Sequence, residues 1–141
     1  MKAVVKRVGS QGMTLVGKGS SNHWIPLDGT EDFGGYDAAS RPLELILIGL
    51  AGCTSMDVLS ILRKMKVPLD DYELQVEGVR AEEHPKVFTH IAVNYLFYGT
   101  DIDPAKVEKA IKLSEERYCS VAPMLRATVE METTYEILPP R

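Results

Sequence analysis

The sequence predicts an α+β fold in which antiparallel sheets surround one long buried helix. The central helix is the apolar stretch at residues 40–66, SRPLELILIGLAGCTSMDVLSILRKMK. Segments on both sides of it alternate apolar and polar residues between turn signals, which is typical of antiparallel strands. A second helix, near residues 103–119, is amphipathic. The predicted order of elements is therefore βββ-α-ββ-α-β.

The long helix has clear ends and an unusual middle. Pro42 suits the first helical turn, Glu44 complements the helix dipole there, and Pro68 stops the helix. Residues 45–53 carry no polar side chain, so this half must be covered on every side, by the rest of the fold or by a second subunit. Asp57 interrupts the second half, and we therefore expect no membrane span.

The remaining elements follow from shorter patterns. Residues 3–8, 13–16 and 23–27 form a predicted antiparallel meander, with the second strand closed by Gly17. Residues 72–77 and 87–98 alternate in polarity and predict a hairpin. Asp103 and Pro104 are typical of the N-cap and first position of a helix. That helix is expected to end at Tyr118–Cys119, with a short link before a last strand at 127–138.

Length and charge narrow the class of protein. A chain of 141 residues predicts one domain over residues 1–141 with a sizeable core. The net charge of −4 with mixed signs gives no basic surface for nucleic acid. The N-terminus lacks the apolar core of a signal peptide, so we expect a cytoplasmic protein. The three histidines have no metal-ligand spacing, and the sequence predicts neither a metal site nor a cofactor.

Two cysteines are the main candidates for chemistry. Cys53 lies in the long helix among small residues, and two glycines in the four positions before it imply close approach of another backbone or room for a substrate. Cys119 lies 66 residues later, at the exit of the second helix. Two thiols on separate elements cannot be paired from sequence alone. Both are either small buried hydrophobes or redox-active groups, and these alternatives stay open at this point.

Three features point to a known family: the helix PLELILIGLAGCTSMDVLSIL, the Cys-Ser-Val that follows KVEKAIKLSEERY, and the order of elements. In these features the chain resembles the OsmC/Ohr family of osmotically inducible and organic hydroperoxide resistance proteins. The resemblance covers nearly the whole chain. It implies an intertwined homodimer in which two central helices cross, with active sites at the subunit interface. Such a dimer would cover the apolar helix.

The resemblance also implies thiol peroxidase chemistry. Cys53 would attack an organic hydroperoxide and become a sulfenic acid, and Cys119 would resolve it to a disulfide. A dithiol reductant, a lipoyl group or a small thiol, would then restore both thiols. The family uses an Arg–Glu pair to favour the thiolate. Arg41 at the helix entrance is the first candidate for the arginine, with Arg7 and Arg80 behind it.

This chain departs from the family pattern at the acidic residues. Glu44 follows the proline one place later than in the hydroperoxide resistance proteins, about half a turn out of phase with Cys53. Its simpler role is dipole complementarity, although it could reach a site across a dimer. Asp57 is four residues after Cys53 and shares its face. As an acid in an apolar zone, Asp57 is expected to pair with an arginine or lysine. The cysteine-proline of the family is also Cys119-Ser120 here.

The predicted function is a thiol-dependent hydroperoxide reductase with Cys53, Cys119, Arg41, Glu44 and Asp57 as site residues. The alternative is a non-enzymatic dimer that binds a small apolar ligand, or senses redox state, with structural cysteines. The two readings differ in whether both sulfurs share one pocket.

Overall fold

The computed structural model describes residues 1–141. The chain divides into two compact units, Met1–Ile46 and Leu47–Arg141. The α+β class is confirmed, while one domain over residues 1–141 stays a prediction. In chain order the elements are β1 (Ala3–Arg7), β2 (Leu15–Gly19), β3 (Trp24–Leu27), α1 (Pro42–Lys64), β4 (Asp71–Arg80), β5 (Phe88–Tyr98), α2 (Pro104–Leu113), α3 (Val121–Arg126) and β6 (Glu130–Leu138).

The first unit holds the predicted antiparallel meander, in the order β1-β2-β3. The sequence predicted that the second strand ends at Gly17, but β2 continues to Gly19. Gly17 is buried between two neighbours: a Cβ there would meet Val5 at 3.4 Å and Leu27 at 3.5 Å. The unit buries no large apolar side chain, and most of its apolar residues are exposed. A sheet without a covered face is incomplete as a folding unit.

Asp28 organises the loop that follows the meander. Its side chain is buried and accepts hydrogen bonds from the backbone N–H groups of Gly29, Tyr36 and Ala38 and from the Thr14 hydroxyl. Burial raises the pKa of Asp28, but these four donors together outweigh it, so the pKa lies below its ordinary value. The ionised carboxylate therefore stabilises the folded loop.

The second unit is built on the sheet β4-β5-β6. The predicted hairpin is present, with β4 antiparallel to β5 from Asp71↔Tyr98 onward. The last strand, however, pairs parallel to β5, so the expectation of wholly antiparallel sheets is wrong for this pair. The cause is the helical connection through α2 and α3, which returns the chain to the same end of the sheet, as a parallel pair requires.

The core of the second unit combines β5 with one face of α1. Ile91, Tyr95 and Phe97 on β5 are fully buried, and the rings of the last two stack with centroids 6.0 Å apart. The hydroxyl groups of Ser55 on α1 and Tyr72 on β4 are hydrogen-bonded at 3.0 Å. On α1 only four residues are buried, at helical spacing: Leu50, Thr54, Val58 and Leu62.

The opposite face of α1 is open. Ile48 is 57% exposed and Met56 is 76% exposed, and a Cβ built at Gly49 or Gly52 would meet no atom within 4 Å. By length and composition alone, α1 is the one helix that could cross a membrane. Only 22% of its most apolar 18-residue segment is buried within the chain. The structure therefore covers one side of α1 and leaves an exposed stripe (Ile48, Gly49, Gly52, Met56 and Leu59) on the other.

The connection after α2 differs from the expected helix and link. Asp103 caps α2 as predicted, because its carboxylate accepts from the Ala105 N–H at 3.0 Å. The α-helix ends at Leu113, and residues Ser114–Tyr118 form a π-helical turn. The predicted link contains the short helix α3. π-Helical turns recur at functional sites, and this one leads directly into Cys119.

We expect Asp28→Asn to lower the stability of the fold, because an amide nitrogen would then face backbone donors. In the wild type, a depressed pKa gives stability that is present above the unfolded value of about 3.9 and is lost as the pH falls through the folded value. Urea unfolding at neutral and acid pH measures this. Asp32→Asn, an exposed acid in the same loop, is the matched control and should change little. Equal midpoints for Asp28→Asn and wild type at neutral pH would contradict the assignment.

Candidate functional site

The two cysteines meet within the second unit. Both are free thiols, and their sulfur atoms and a carboxylate oxygen of Asp57 all lie within 4.8 Å of one another. Cys53 is half-buried on α1, whereas Cys119 is 3% exposed. This distance is within reach of a disulfide after side-chain rotation and a small approach of the two elements.

The π-helical turn places Cys119. The Cys119 N–H donates to the Ser114 carbonyl oxygen, five residues earlier, at 2.9 Å. The chain leaves the helical path at Cys119 and begins α3 two residues later. As a result, the Ala122 N–H in the first turn of α3 is free to donate to the Cys119 sulfur instead of pairing within a continuous helix.

Cys119 has the environment of a thiolate. The Thr54 hydroxyl lies 3.4 Å from its sulfur, and the Ala122 N–H donates to the sulfur at 3.4 Å. Burial raises the pKa of Cys119, but the contacts with Thr54, Ala122, Cys53 and Val121 outweigh burial and lower it.

Cys53 is the proton-bearing partner. Burial raises the pKa of its thiol, and the neighbouring thiol of Cys119 raises it further. The N–H groups of Val121 and Ser120 act in the opposite direction but do not compensate. The two cysteines thus differ in role: Cys53 is the more accessible sulfur and Cys119 the more acidic thiol.

Asp57 lies on the same face of α1 as Cys53, as its position four residues later predicts. The expected arginine or lysine partner is absent, since no cationic nitrogen lies within 4.0 Å of its carboxylate. Its partner is the fully buried Ser114 hydroxyl, which donates to Oδ2 at 3.4 Å. The prediction of an ion pair is wrong because the π-helical turn brings a neutral hydroxyl to this position.

Arg41 and Glu44 pair with each other in the first unit. The Arg41 guanidinium contacts Asp37 at 2.8 Å and Glu44 at 3.3 Å, on an exposed surface. Glu44 also accepts from the Arg41 N–H at 2.9 Å, which satisfies a free donor at the start of α1. These contacts are typical of the N-terminal end of a helix. A catalytic role for either residue stays a prediction.

A cavity of about 340 Å³ opens beside Asp57. Its wall combines the Asp57 carboxylate and the Lys64 ammonium group with apolar side chains, and this volume suits a small organic molecule. The lining residues are Asp57, Ser60, Ile61, Lys64, Met65, Leu113 and Tyr118.

Several site residues were not identified from the sequence. Thr54, Ser114 and the Ala122 N–H contact the thiols or Asp57 only because the π-helical turn and α3 fold back on α1. The hydroxyl of Tyr95 is buried without a hydrogen-bond partner, and its pKa is raised, chiefly by burial and also by nearby Tyr72, Glu115 and Cys119. No local sequence signal marks these residues, since each is ordinary in its own element.

The fold and the paired thiols define an α+β protein with a dithiol site on its central helix. The sequence model of the OsmC-like protein family matches residues 35–134, and the chain belongs to this family, as the resemblance indicated.

Individual relatives agree with this assignment. The chain is 39% identical to Protein YhfA of Escherichia coli (strain K12) over 98% of both sequences. It superposes on a hypothetical protein from Aquifex aeolicus with a TM-score of 0.84, at 26% identity, covering 99% of this chain and 97% of the other. An organic hydroperoxide resistance protein from Legionella pneumophila shares the fold, with a TM-score of 0.69 and 18% identity, covering 96% and 97%.

The thiol geometry predicts opposite effects of removing either cysteine. Cys119→Ala should lower the pKa of Cys53, because it removes the neighbouring thiol that raises this pKa. Cys53→Ala should raise the pKa of Cys119, because it removes a donor to that thiolate. The rate of alkylation by iodoacetamide as a function of pH measures each remaining thiol. Shifts of the same sign in both variants would contradict the assigned proton positions.

Proposed function

We propose that this protein is a thiol-dependent peroxidase that reduces small organic hydroperoxides. The single observation that carries the proposal is that two free sulfurs and a carboxylate oxygen of Asp57 all lie within 4.8 Å of one another. Structural cysteines would need no carboxylate beside them. Membership of the OsmC-like family supports a peroxide-related redox role.

The first step requires a thiolate on Cys53, although the pKa of this thiol is raised. Asp57 is the proposed base: its carboxylate, which lies within 4.8 Å of the Cys53 sulfur, takes the Cys53 proton. The thiolate then attacks the outer oxygen of ROOH, and the O–O bond breaks. The leaving alkoxide takes the proton back from Asp57 and departs as ROH. Cys53 remains as a sulfenic acid.

The second step uses the acidity of Cys119. Its thiolate, held by Thr54 and the Ala122 N–H, attacks the sulfenic sulfur of Cys53. The S–O bond breaks, hydroxide leaves and is protonated to water, and the disulfide forms. An external dithiol, a lipoyl group or a small thiol, reduces the disulfide and regenerates both thiols. The apolar wall of the cavity beside Asp57 is the proposed site for the organic part of the hydroperoxide.

We further propose that the working unit is a homodimer. The exposed stripe of α1 and the uncovered sheet of the first unit are apolar surfaces without a partner in the single chain. A second copy would cover both. The glycines at positions 49 and 52 leave room for a close helix crossing, because a Cβ there meets nothing.

The peroxidase proposal predicts that Cys53→Ser lowers hydroperoxide consumption to the background rate of the dithiol reductant. Cys119→Ser should instead stop after one oxidation per chain and leave a sulfenic acid at Cys53. Peroxide consumption and trapping with a 1,3-diketone, located by peptide mass spectrometry, measure the two outcomes. Unchanged consumption in Cys53→Ser would exclude the mechanism and favour a ligand-binding or redox-sensing role.

The dimer proposal predicts a solution mass of twice the 15.6 kDa chain. Met56→Glu should shift the protein toward monomer, since it places a charge in the exposed stripe. Lys109→Glu, on the exposed face of α2, is the matched control and should leave the mass unchanged. Light scattering after size exclusion measures both, and a monomeric wild type would refute the proposal.

A further inference from the structure

We propose that Cys53, Cys119 and Asp57 form a binding site for a thiophilic divalent cation, with Zn²⁺ as the best match. The sequence predicted no metal site, because it offered two cysteines and no histidine at ligand spacing. The structure adds a carboxylate to the two sulfurs. The inference does not depend on peroxidase activity.

The geometry is close to that of a zinc site. Tetrahedral Zn²⁺ with Zn–S bonds of about 2.3 Å places two sulfurs about 3.8 Å apart. The three potential ligand atoms already lie within 4.8 Å of one another, so movements of about 1 Å suffice. Cys53 and Asp57 stand four residues apart on one helix face, a spacing that directs both side chains to one point. Three protein ligands leave the fourth position for water.

The charges of the three groups also favour the binding of a cation. No lysine or arginine nitrogen lies within 4.0 Å of Asp57, so ionisation of either thiol adds negative charge to an uncompensated carboxylate. A divalent ion would displace both thiol protons and neutralise the two thiolates: Zn²⁺ binds two sulfurs and one carboxylate, and two H⁺ leave. Sulfur ligands favour Zn²⁺ over Mg²⁺ and Ca²⁺, which prefer oxygen.

The surrounding groups fit a second shell. The Ser114 hydroxyl donates to Asp57 and would fix its carboxylate. The Ala122 N–H and the Thr54 hydroxyl contact the Cys119 sulfur, and N–H groups of α3 also act on Cys53. These groups would stabilise the negative charge of the thiolates whether or not a metal ion is bound. The half-buried positions of Cys53 and Asp57 leave an entry path beside the cavity.

Metal binding and thiol oxidation exclude each other at this site. Formation of the Cys53–Cys119 disulfide removes two electrons and both sulfur ligands, and the ion leaves as Zn²⁺. A thiol oxidant such as diamide, which is itself reduced to the hydrazine as it takes these electrons, forms the disulfide without peroxidase activity.

The test is a Zn²⁺ titration of the reduced full-length protein against a chromophoric chelator. We expect one Zn²⁺ per chain, no competition from Mg²⁺ or Ca²⁺, and loss of binding in the Cys53→Ser/Cys119→Ser variant. Asp57→Asn should weaken affinity by at least about tenfold, since even second-shell partners contribute 10–100-fold. Co²⁺ in place of Zn²⁺ should show thiolate-to-metal charge-transfer absorption that the double variant lacks.

Two further arms keep the test independent of misfolding. Wild-type protein oxidised with diamide should release one Zn²⁺ per chain, and reduction should restore binding. Glu82→Gln, an exposed acid between β4 and β5, should bind as wild type does. Absence of stoichiometric binding to the reduced protein, binding that survives loss of both thiols, or equal affinities for Asp57→Asn and Glu82→Gln would overturn the proposal.

Discussion

The apolar surface of α1 is the constraint on which the rest of the structure depends. Four residues at helical spacing anchor one side of it in the core of the second unit. The other side presents isoleucine, methionine and two glycines to the surroundings, and the sheet of the first unit is equally uncovered. Both features have the same physical explanation: a single chain has too little core to cover its own apolar surface. The proposed homodimer would cover both surfaces, and the half-buried Cys53 lies between the buried and the exposed faces of α1.

The position of Cys53 at this border explains why the two thiols differ. Cys119 is buried, yet donors from α1 and from the start of α3 surround its sulfur and favour the thiolate. Cys53 is more accessible but holds the proton. In the proposed mechanism, the more accessible sulfur meets the substrate and the more acidic thiol resolves the product. Asp57 would take the proton from Cys53, because its carboxylate lies within 4.8 Å of that sulfur.

The same three groups suit two kinds of chemistry. In the two proposals, the two sulfurs and the carboxylate either exchange electrons with a hydroperoxide or hold a thiophilic cation, and the oxidised pair would do neither. Both proposals use the same observation, that no lysine or arginine nitrogen lies within 4.0 Å of Asp57. The carboxylate would then serve as a base in the first and as a ligand of the divalent ion in the second.

The sequence by itself determined the α+β class, the bounds of α1 and the shared face of Cys53 and Asp57. These follow from hydrophobic periodicity and from the 100° turn per residue of a helix, which are local properties. The family was also recognisable from the sequence, through the helix around Cys53 and the Cys-Ser-Val motif. Only the tertiary structure decided the parallel pairing of β6, the π-helical turn before Cys119 and the presence of Ser114 where an arginine or lysine was expected beside Asp57. Each depends on contacts between residues far apart in the chain, such as Asp57 and Ser114. A local sequence pattern does not predict such contacts.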